Sequence, residues 1–214
     1  MHRTRKLLSA VALVGLAASG CLKPDAAKKT LPGHELYAAC AACHGQDAQG
    51  NAKLEAPPIA GLPAWYVEAQ LVKFRSGHRA YHPEDVAGLR MRPMSRQMMD
   101  EGEVKSVAAH VASLPAKKPA AVLEGGNASA GAASYATCLA CHGAKGEGNQ
   151  ALGAPPIAQQ ADWYMLAQLK KFKGGQRGTH PEDRSGATMR PMSMTLADEQ
   201  AMKNVVAHIG TLSN

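Results

Sequence analysis

Advancing any position in the first half of this 214-residue chain by 98 lands on its counterpart, without a gap, from Gly33 (Gly131) to Met94 (Met192). The register pairs Tyr37 with Tyr135, Pro57-Pro58-Ile59-Ala60 with Pro155-Pro156-Ile157-Ala158, and Trp65-Tyr66 with Trp163-Tyr164. It continues through Arg79 and Arg177 to Met91-Arg92-Pro93-Met94 and Met189-Arg190-Pro191-Met192. Self-similarity at one fixed period means tandem copies of one structural unit, so the chain divides into two small domains of about 80 to 90 residues each. A domain of that size buries only about 60 to 65% of the surface its unfolded chain exposes. With aromatic residues at 4% of the composition, each core is also short of large side chains. A bulky bound group in each half would supply what is missing.

Each copy carries Cys-x-x-Cys-His: Cys40-Ala41-Ala42-Cys43-His44 and Cys138-Leu139-Ala140-Cys141-His142. This is the spacing of haem c attachment, in which two thiols add to the two vinyl groups of one haem and the adjacent histidine is carried onto the iron. Zinc or a thioredoxin-like redox centre would fit the thiols less well. Zinc would draw its ligands from both halves or stay incomplete, and a thioredoxin-like site expects βαβ patterning that is missing here. Two covalently bound haem c groups are therefore expected, with His44 and His142 on the irons. What fills the sixth position decides between electron transfer and catalysis. Met-Arg-Pro-Met stands downstream of each haem motif, and a thioether is a soft, neutral ligand that favours ferrous iron and closes it to exogenous ligands. Spacing alone does not separate Met91 from Met94, or Met189 from Met192.

The fifth cysteine, Cys21, lies outside the repeat. Before it stand basic His2 to Lys6, apolar Leu7 to Ala18, and the small residues Ser19-Gly20, the pattern of an export signal. The apolar run falls short of the about 20 residues a membrane span needs. Leu16 to Cys21 resembles a bacterial lipobox, with Ala18 where leucine is usual, so residues 1–20 are expected to be a lipoprotein-type signal and Cys21 its lipidation site. Ordinary cleavage nearby, with Cys21 a bystander thiol, stays open. Leu22-Lys23 lacks the aspartate of inner-membrane retention, which points to the periplasmic side of a Gram-negative envelope and favours the outer membrane. Removing residues 1–20 leaves 21 basic against 17 acidic side chains, a mild excess. Such a charge suits docking on an acidic protein and offers no support for nucleic-acid binding, which would want a concentrated basic stripe.

The expected layout is a tether at 21–32, a first domain at 33–114, a linker at 115–130 and a second domain at 131–214. Three helices are expected per domain. The first, near Gly33 to Cys43, delivers the haem motif. The second runs from about Pro63 to Arg75, with proline at its first position. The third starts near Asp100, capped with Glu103, and places Val104, Val107, Val111 and Leu114 on one stripe. The matching stripe is Met202, Val205, Ile209 and Leu212. No strand-period segment competes, so the class is all-α. His82-Pro83-Glu84-Asp85 and its copy at 180–183 read as turns rather than ligands. His110 and His208 read as core or interface residues, and Met98, Met99, Met194 and Met202 as adaptable packing.

In these features the chain resembles the class I cytochromes c, and specifically the two-domain cytochrome c4-type electron carriers, from Gly33 to about Leu212. The likeness rests on the paired haem motifs, the Pro-x-Ile-Ala segments, the aromatic-x(3)-Gln-Leu-x-x-Phe helices and the methionine ahead of each last helix. Family members place the axial methionine seven residues before that helix. This spacing implies Met91, counted to Met98, and Met189, counted to Leu196, with Met94 and Met192 as runners-up. The resemblance also implies that the carbonyls of Pro57 and Pro155 accept the Nδ1 proton of the proximal histidine. Trp65, Tyr66, Arg79, Trp163, Tyr164 and Arg177 become candidates for propionate contacts, against plain packing for the aromatics and solvated charge for the arginines. The implied function is single-electron transfer between respiratory partners rather than catalysis, with a quinol-oxidising complex as donor and a terminal oxidase as acceptor. A haem enzyme, such as a dihaem peroxidase or a sulfur-compound dehydrogenase, would differentiate its two sites, whereas these keep the same Met-Arg-Pro-Met. An electron-delivering subunit of a larger dehydrogenase is the remaining alternative.

Overall fold

The computed structural model describes residues 30–98 and 100–212. The expected signal segment, Cys21 and the tether as far as residue 29 lie outside the described residues, as does Met99. Each domain contributes four helices in the same order: α1 (Gly33–His44), α2 (Ala64–Ser76), α3 (Val86–Ser95) and α4 (Glu101–Ser113), then α5 (Ala128–His142), α6 (Asp162–Lys173), α7 (Arg184–Met194) and α8 (Glu199–Thr211). Among the described residues no strand forms; the extended pairing is limited to the isolated bridges Asn51–Ala56 and Asn149–Ala154.

The expected helices form where local chemistry starts and stops them. Asp100 caps α4 by accepting from the Glu103 amide at 2.9 Å, and Asp198 does the same for α8 at Ala201, 2.8 Å. Pro63 takes the cap position of α2, one residue earlier than expected. The haem motif fills the last turns of α1 and α5, which end at Gly45 and Gly143 with φ of 82° and 81°. Helix α5 begins at Ala128, so it takes in residues that read as linker.

One element departs from expectation. The Met-Arg-Pro-Met segments, where no helix was expected, lie in α3 and α7, with Pro93 and Pro191 inside those helices. Asp85 and Asp183 cap these helices, each accepting at 3.1 Å from the amide three residues on. Proline removes one hydrogen bond near the end of a short helix, where little of the ladder remains to be lost. The segments escape a pattern search because they bury only small residues: Gly88 and Ser95 in α3, Gly186 and Ser193 in α7.

The cores lie where the apolar stripes meet the haem-motif helices. Tyr37, Val67, Leu71, Met98, Val104, Val107 and Val111 pack in the first domain. Tyr135, Met165, Leu166, Leu169, Met202, Val205 and Ile209 pack in the second. Met98 and Met202 are thus core residues, whereas Met194, also expected to pack, is exposed. Gly33 and Gly131 let the paired helices cross in backbone contact: a Cβ would stand 2.2 Å from the Ser106 carbonyl oxygen at the first and 2.0 Å from that of Asn204 at the second.

The two domains meet through repeat-related residues. Lys73 Nζ lies 2.6 Å from Asp183 Oδ1, and its counterpart Lys171 Nζ lies 2.6 Å from Asp85 Oδ1. Tyr81 and its counterpart Thr179 share a hydrogen bond. Such reciprocity, in which residue i meets residue j and j's copy meets i's, is the mark of a two-fold interface, here formed within one chain.

Candidate functional site

Each domain encloses one cavity between the end of its haem-motif helix, the proline segment that follows, its second helix and its methionine helix. The first, about 230 Å³, is lined by Cys40, Cys43, His44, Met91 and Met94 among others. The second, about 160 Å³, is lined by Cys138, Cys141, His142, Met189 and Met192. The residues singled out in each half are therefore brought together in that half.

His44 Nδ1 donates to the Pro57 carbonyl at 2.8 Å, and His142 Nδ1 to that of Pro155 at 2.9 Å. Burial pushes both imidazoles below their ordinary pKa, and the carbonyl contact only partly opposes it. Each ring is thus neutral at pH 7 with its proton fixed on Nδ1, leaving the Nε2 lone pair for a metal. Burial raises the Cys40 thiol, with Cys43 beside it adding to the effect, and Cys138 and Cys141 repeat this arrangement. Among the described residues no cluster of three or more His, Cys, Asp and Glu side chains forms, so the zinc alternative lacks a ligand set.

Helix α3 explains why both methionines of a pair reach the cavity: residues three apart share a helix face. The same structure turns the spacing argument toward the runners-up. Helices α4 and α8 start at Glu101 and Glu199, so Met94 and Met192 stand seven residues ahead of them, and Met91 and Met189 stand ten. The count to Met98 and Leu196 ended on core residues that precede those helices. Packing favours the other pair. Met91 and Met189 lie against their domain cores, while Met94 Sδ faces the Gln97 amide at 3.6 Å.

Arg79 and Arg177 are buried rather than solvated, each with its guanidinium 4.4 Å from the ring of Phe74 or Phe172. Each donates at 2.7 Å to its own domain's glutamine, Gln70 or Gln168, and also to the other domain's glutamine. Arg79 adds a bond to the Tyr164 hydroxyl at 2.9 Å. Their Nε atoms are buried without a partner although both side chains line the cavities. An unpaired buried guanidinium N–H is costly and suits an anionic group such as a carboxylate, so the cavities fit a haem whose propionates reach this wall.

Gln70 and Gln168, and the crossing of this wall between the domains, are what the sequence reading missed. Tyr66, Gln70, Tyr164 and Gln168 border both cavities, and Trp163 of the second domain lines the cavity of the first, while Trp65 lines neither. The repeat shows the glutamines twice but carries no sign that each serves the opposite domain. His82 and His180 form the expected turns, their carbonyls accepting from Asp85 and Asp183 at 3.0 and 2.9 Å. His110 and His208 pack on Tyr37 and Tyr135 with ring centroids 5.3 and 5.2 Å apart, away from the cavities.

The family model for cytochrome c matches residues 31–115 and again 128–213. A relative from Stutzerimonas stutzeri (strain A1501), "Thiosulfate dehydrogenase electron acceptor", is 37% identical over 185 residues, which is 80% of this chain and 79% of that one. The crystal structure of reduced recombinant cytochrome c4 from Pseudomonas stutzeri is similar with a TM-score of 0.67 and 26% identity, covering 85% of this chain and 97% of that one. A thiosulfate dehydrogenase structure from Marichromatium purpuratum gives the same TM-score of 0.67 at 29% identity over 85% of this chain, which spans 40% of that longer one.

Proposed function

The chain belongs to the cytochrome c family, two domains of it in tandem, as a dihaem cytochrome c4-like electron carrier with two haem c groups, and on that premise we propose which residues hold and tune them. Cys40 and Cys43 carry the first haem and Cys138 and Cys141 the second; His44 and Met91 ligate the first iron, His142 and Met189 the second. When bound, each haem iron accepts and returns one electron between its ferric and ferrous states. Pro57 and Pro155 hold the imidazoles in the ligating tautomer. Met91 and Met189 supply neutral sulfur and keep exogenous ligands out. Arg79 and Arg177 offer their free Nε–H to propionates.

The observation that carries this reading is the equivalence of the two cavities: each holds a thiol pair, a neutral histidine and two thioethers. A dihaem enzyme needs one site with an open or different sixth ligand. We therefore read the chain as a carrier without catalytic activity of its own. The test is carbon monoxide and peroxide applied to the purified holoprotein. Slow carbon monoxide binding at both ferrous haems and no peroxide turnover are expected; rapid binding at either haem would assign an open, catalytic site.

The relative named as a thiosulfate dehydrogenase electron acceptor supports a periplasmic thiosulfate-oxidising enzyme as donor. A terminal oxidase is then the acceptor, and a quinol-oxidising complex is the second donor reading. Stopped-flow reduction by thiosulfate with its dehydrogenase, against reduction by quinol with its complex, separates them. We also place the protein on the periplasmic face of the envelope, held by a lipid on Cys21. Release of the unmodified protein by osmotic shock without detergent would overturn that attachment.

A further inference from the structure

Helices α3 and α7 bear the methionines but have little to hold them. Each fully buries only one glycine and one serine, and its hydrophobic packing rests on partly buried side chains such as Met91 or Met189. Their fixed points are the capping aspartates: Asp85 and Asp183 are each 2% exposed, and their carboxylates accept from the third amide of the helix, that of Gly88 or Gly186. The cation that hydrogen-bonds each carboxylate comes from the other domain, while Arg79 and Arg177 act on Asp85 and Asp183 from within their own domains through charge. Lys171 of α6 reaches Asp85 at 2.6 Å, and Lys73 of α2 reaches Asp183 at 2.6 Å and Ser185 Oγ at 2.6 Å. The lysine side chains are 22% and 16% exposed, so water screens these pairs only partly.

A lysine beside a helix N-terminus opposes the helix dipole, which favours negative charge there. Its position makes sense through the aspartate it neutralises: a buried carboxylate left without a cation is costly, and relaxation would carry the cap away. We propose that Lys171 and Lys73 are crossed positioning residues, each fixing the methionine-bearing helix of the opposite domain, so that domain docking sets the sixth ligand of both haems. Lys171 thus governs the first haem although it belongs to the second domain, and Lys73 governs the second. The proposal rests on the assignment of a methionine from α3 and α7 to each iron. It predicts an effect that crosses the domain boundary, which loss of general stability would not produce.

The test uses the full holoprotein and reads each haem separately. In the ferrous state an axial methionine methyl gives a ring-current-shifted proton signal, one per haem, assigned by its loss in Met91→Leu and Met189→Leu. Lys171→Met should broaden or remove the first-domain signal alone, and Lys73→Met the second-domain signal alone. Carbon monoxide binding at the affected haem should accelerate about tenfold, equivalent to about 1.4 kcal/mol, with the other haem changed less than about twofold. Asp85→Asn keeps a capping side chain and leaves no buried carboxylate to strand, so its effect should be milder than that of Lys171→Met, and adding it to Lys171→Met should relieve that variant. Lys171→Arg should restore the first-domain signal. Equal effects on both haems, an effect on the lysine's own domain, or no effect would overturn the crossed arrangement. If Met94→Leu rather than Met91→Leu removes the first-domain signal, the ligand assignment fails, while Lys171→Met must still act on that same signal for the proposal to stand.

Discussion

Gly131→Ala is the substitution whose consequence is most directly fixed by the geometry. The added Cβ would lie 2.0 Å from the Asn204 carbonyl oxygen, 2.4 Å from its carbonyl carbon and 2.8 Å from the Val205 amide nitrogen. All three are backbone atoms of α8, so no side-chain rotation relieves the overlap. An ordinary carbon–oxygen contact requires the helices to part by about 1 Å, and overpacking of this kind costs about 1 to 3 kcal/mol, here at the upper end. Replacing a helical glycine by alanine returns up to about 1 kcal/mol of propensity. The net loss is about 2 kcal/mol, which for a domain of this size lowers Tm by about 8 to 16 °C. Because α5 ends in Cys138, Cys141 and His142, the displacement also reaches the second cavity. Thermal melting of the holoprotein followed at the haem absorbance is the assay. Gly210→Ala is the control: nothing lies within 4 Å of its added Cβ, so the same change in α8 should leave Tm unchanged or raise it. A Gly131→Ala protein melting with the wild type would refute the close crossing.

Met189→Ala should open the second haem alone to carbon monoxide and lower its potential, whereas Met192→Ala should leave ligation intact; optical titration with potentiometry of both variants decides between the two thioethers. Cys138→Ala with Cys141→Ala should leave one covalent haem per chain after acid-acetone extraction, since each domain carries a complete ligand set; loss of both, or of neither, would contradict that independence. Burial raises the Asp183 carboxyl, but the hydrogen bond and charge of Lys73 outweigh it and hold the group below its ordinary pKa. A depressed folded-state pKa contributes stability that is complete above the unfolded value of about 3.9 and is lost as pH falls through the folded value. Wild-type Tm should therefore drop more steeply below about pH 4 than that of Asp183→Asn, which has no proton to take up there; parallel acid profiles would count against the ion pair.

The haem chemistry was legible in the sequence because it depends on local spacing. Cys-x-x-Cys-His fixes two thiols and an imidazole within one helical turn wherever the chain goes next, and the 98-residue register doubles it. The apolar stripes of α4 and α8 were equally legible, since a helix that must bury one face displays its period. Helices α3 and α7 did not show, because they bury small residues and are held by a capping carboxylate rather than by a hydrophobic face. The choice between paired methionines also exceeded the sequence: residues three apart share a helix face, and core packing sets Met91 and Met189 apart while the helix starts set Met94 and Met192 apart. What tertiary structure alone decided is the exchange between domains. Lys73 meets Asp183, Lys171 meets Asp85, and each arginine bonds the other domain's glutamine. A tandem repeat prescribes two equal surfaces, but the docking that buries those charges is what makes each surface the partner of the other's cavity.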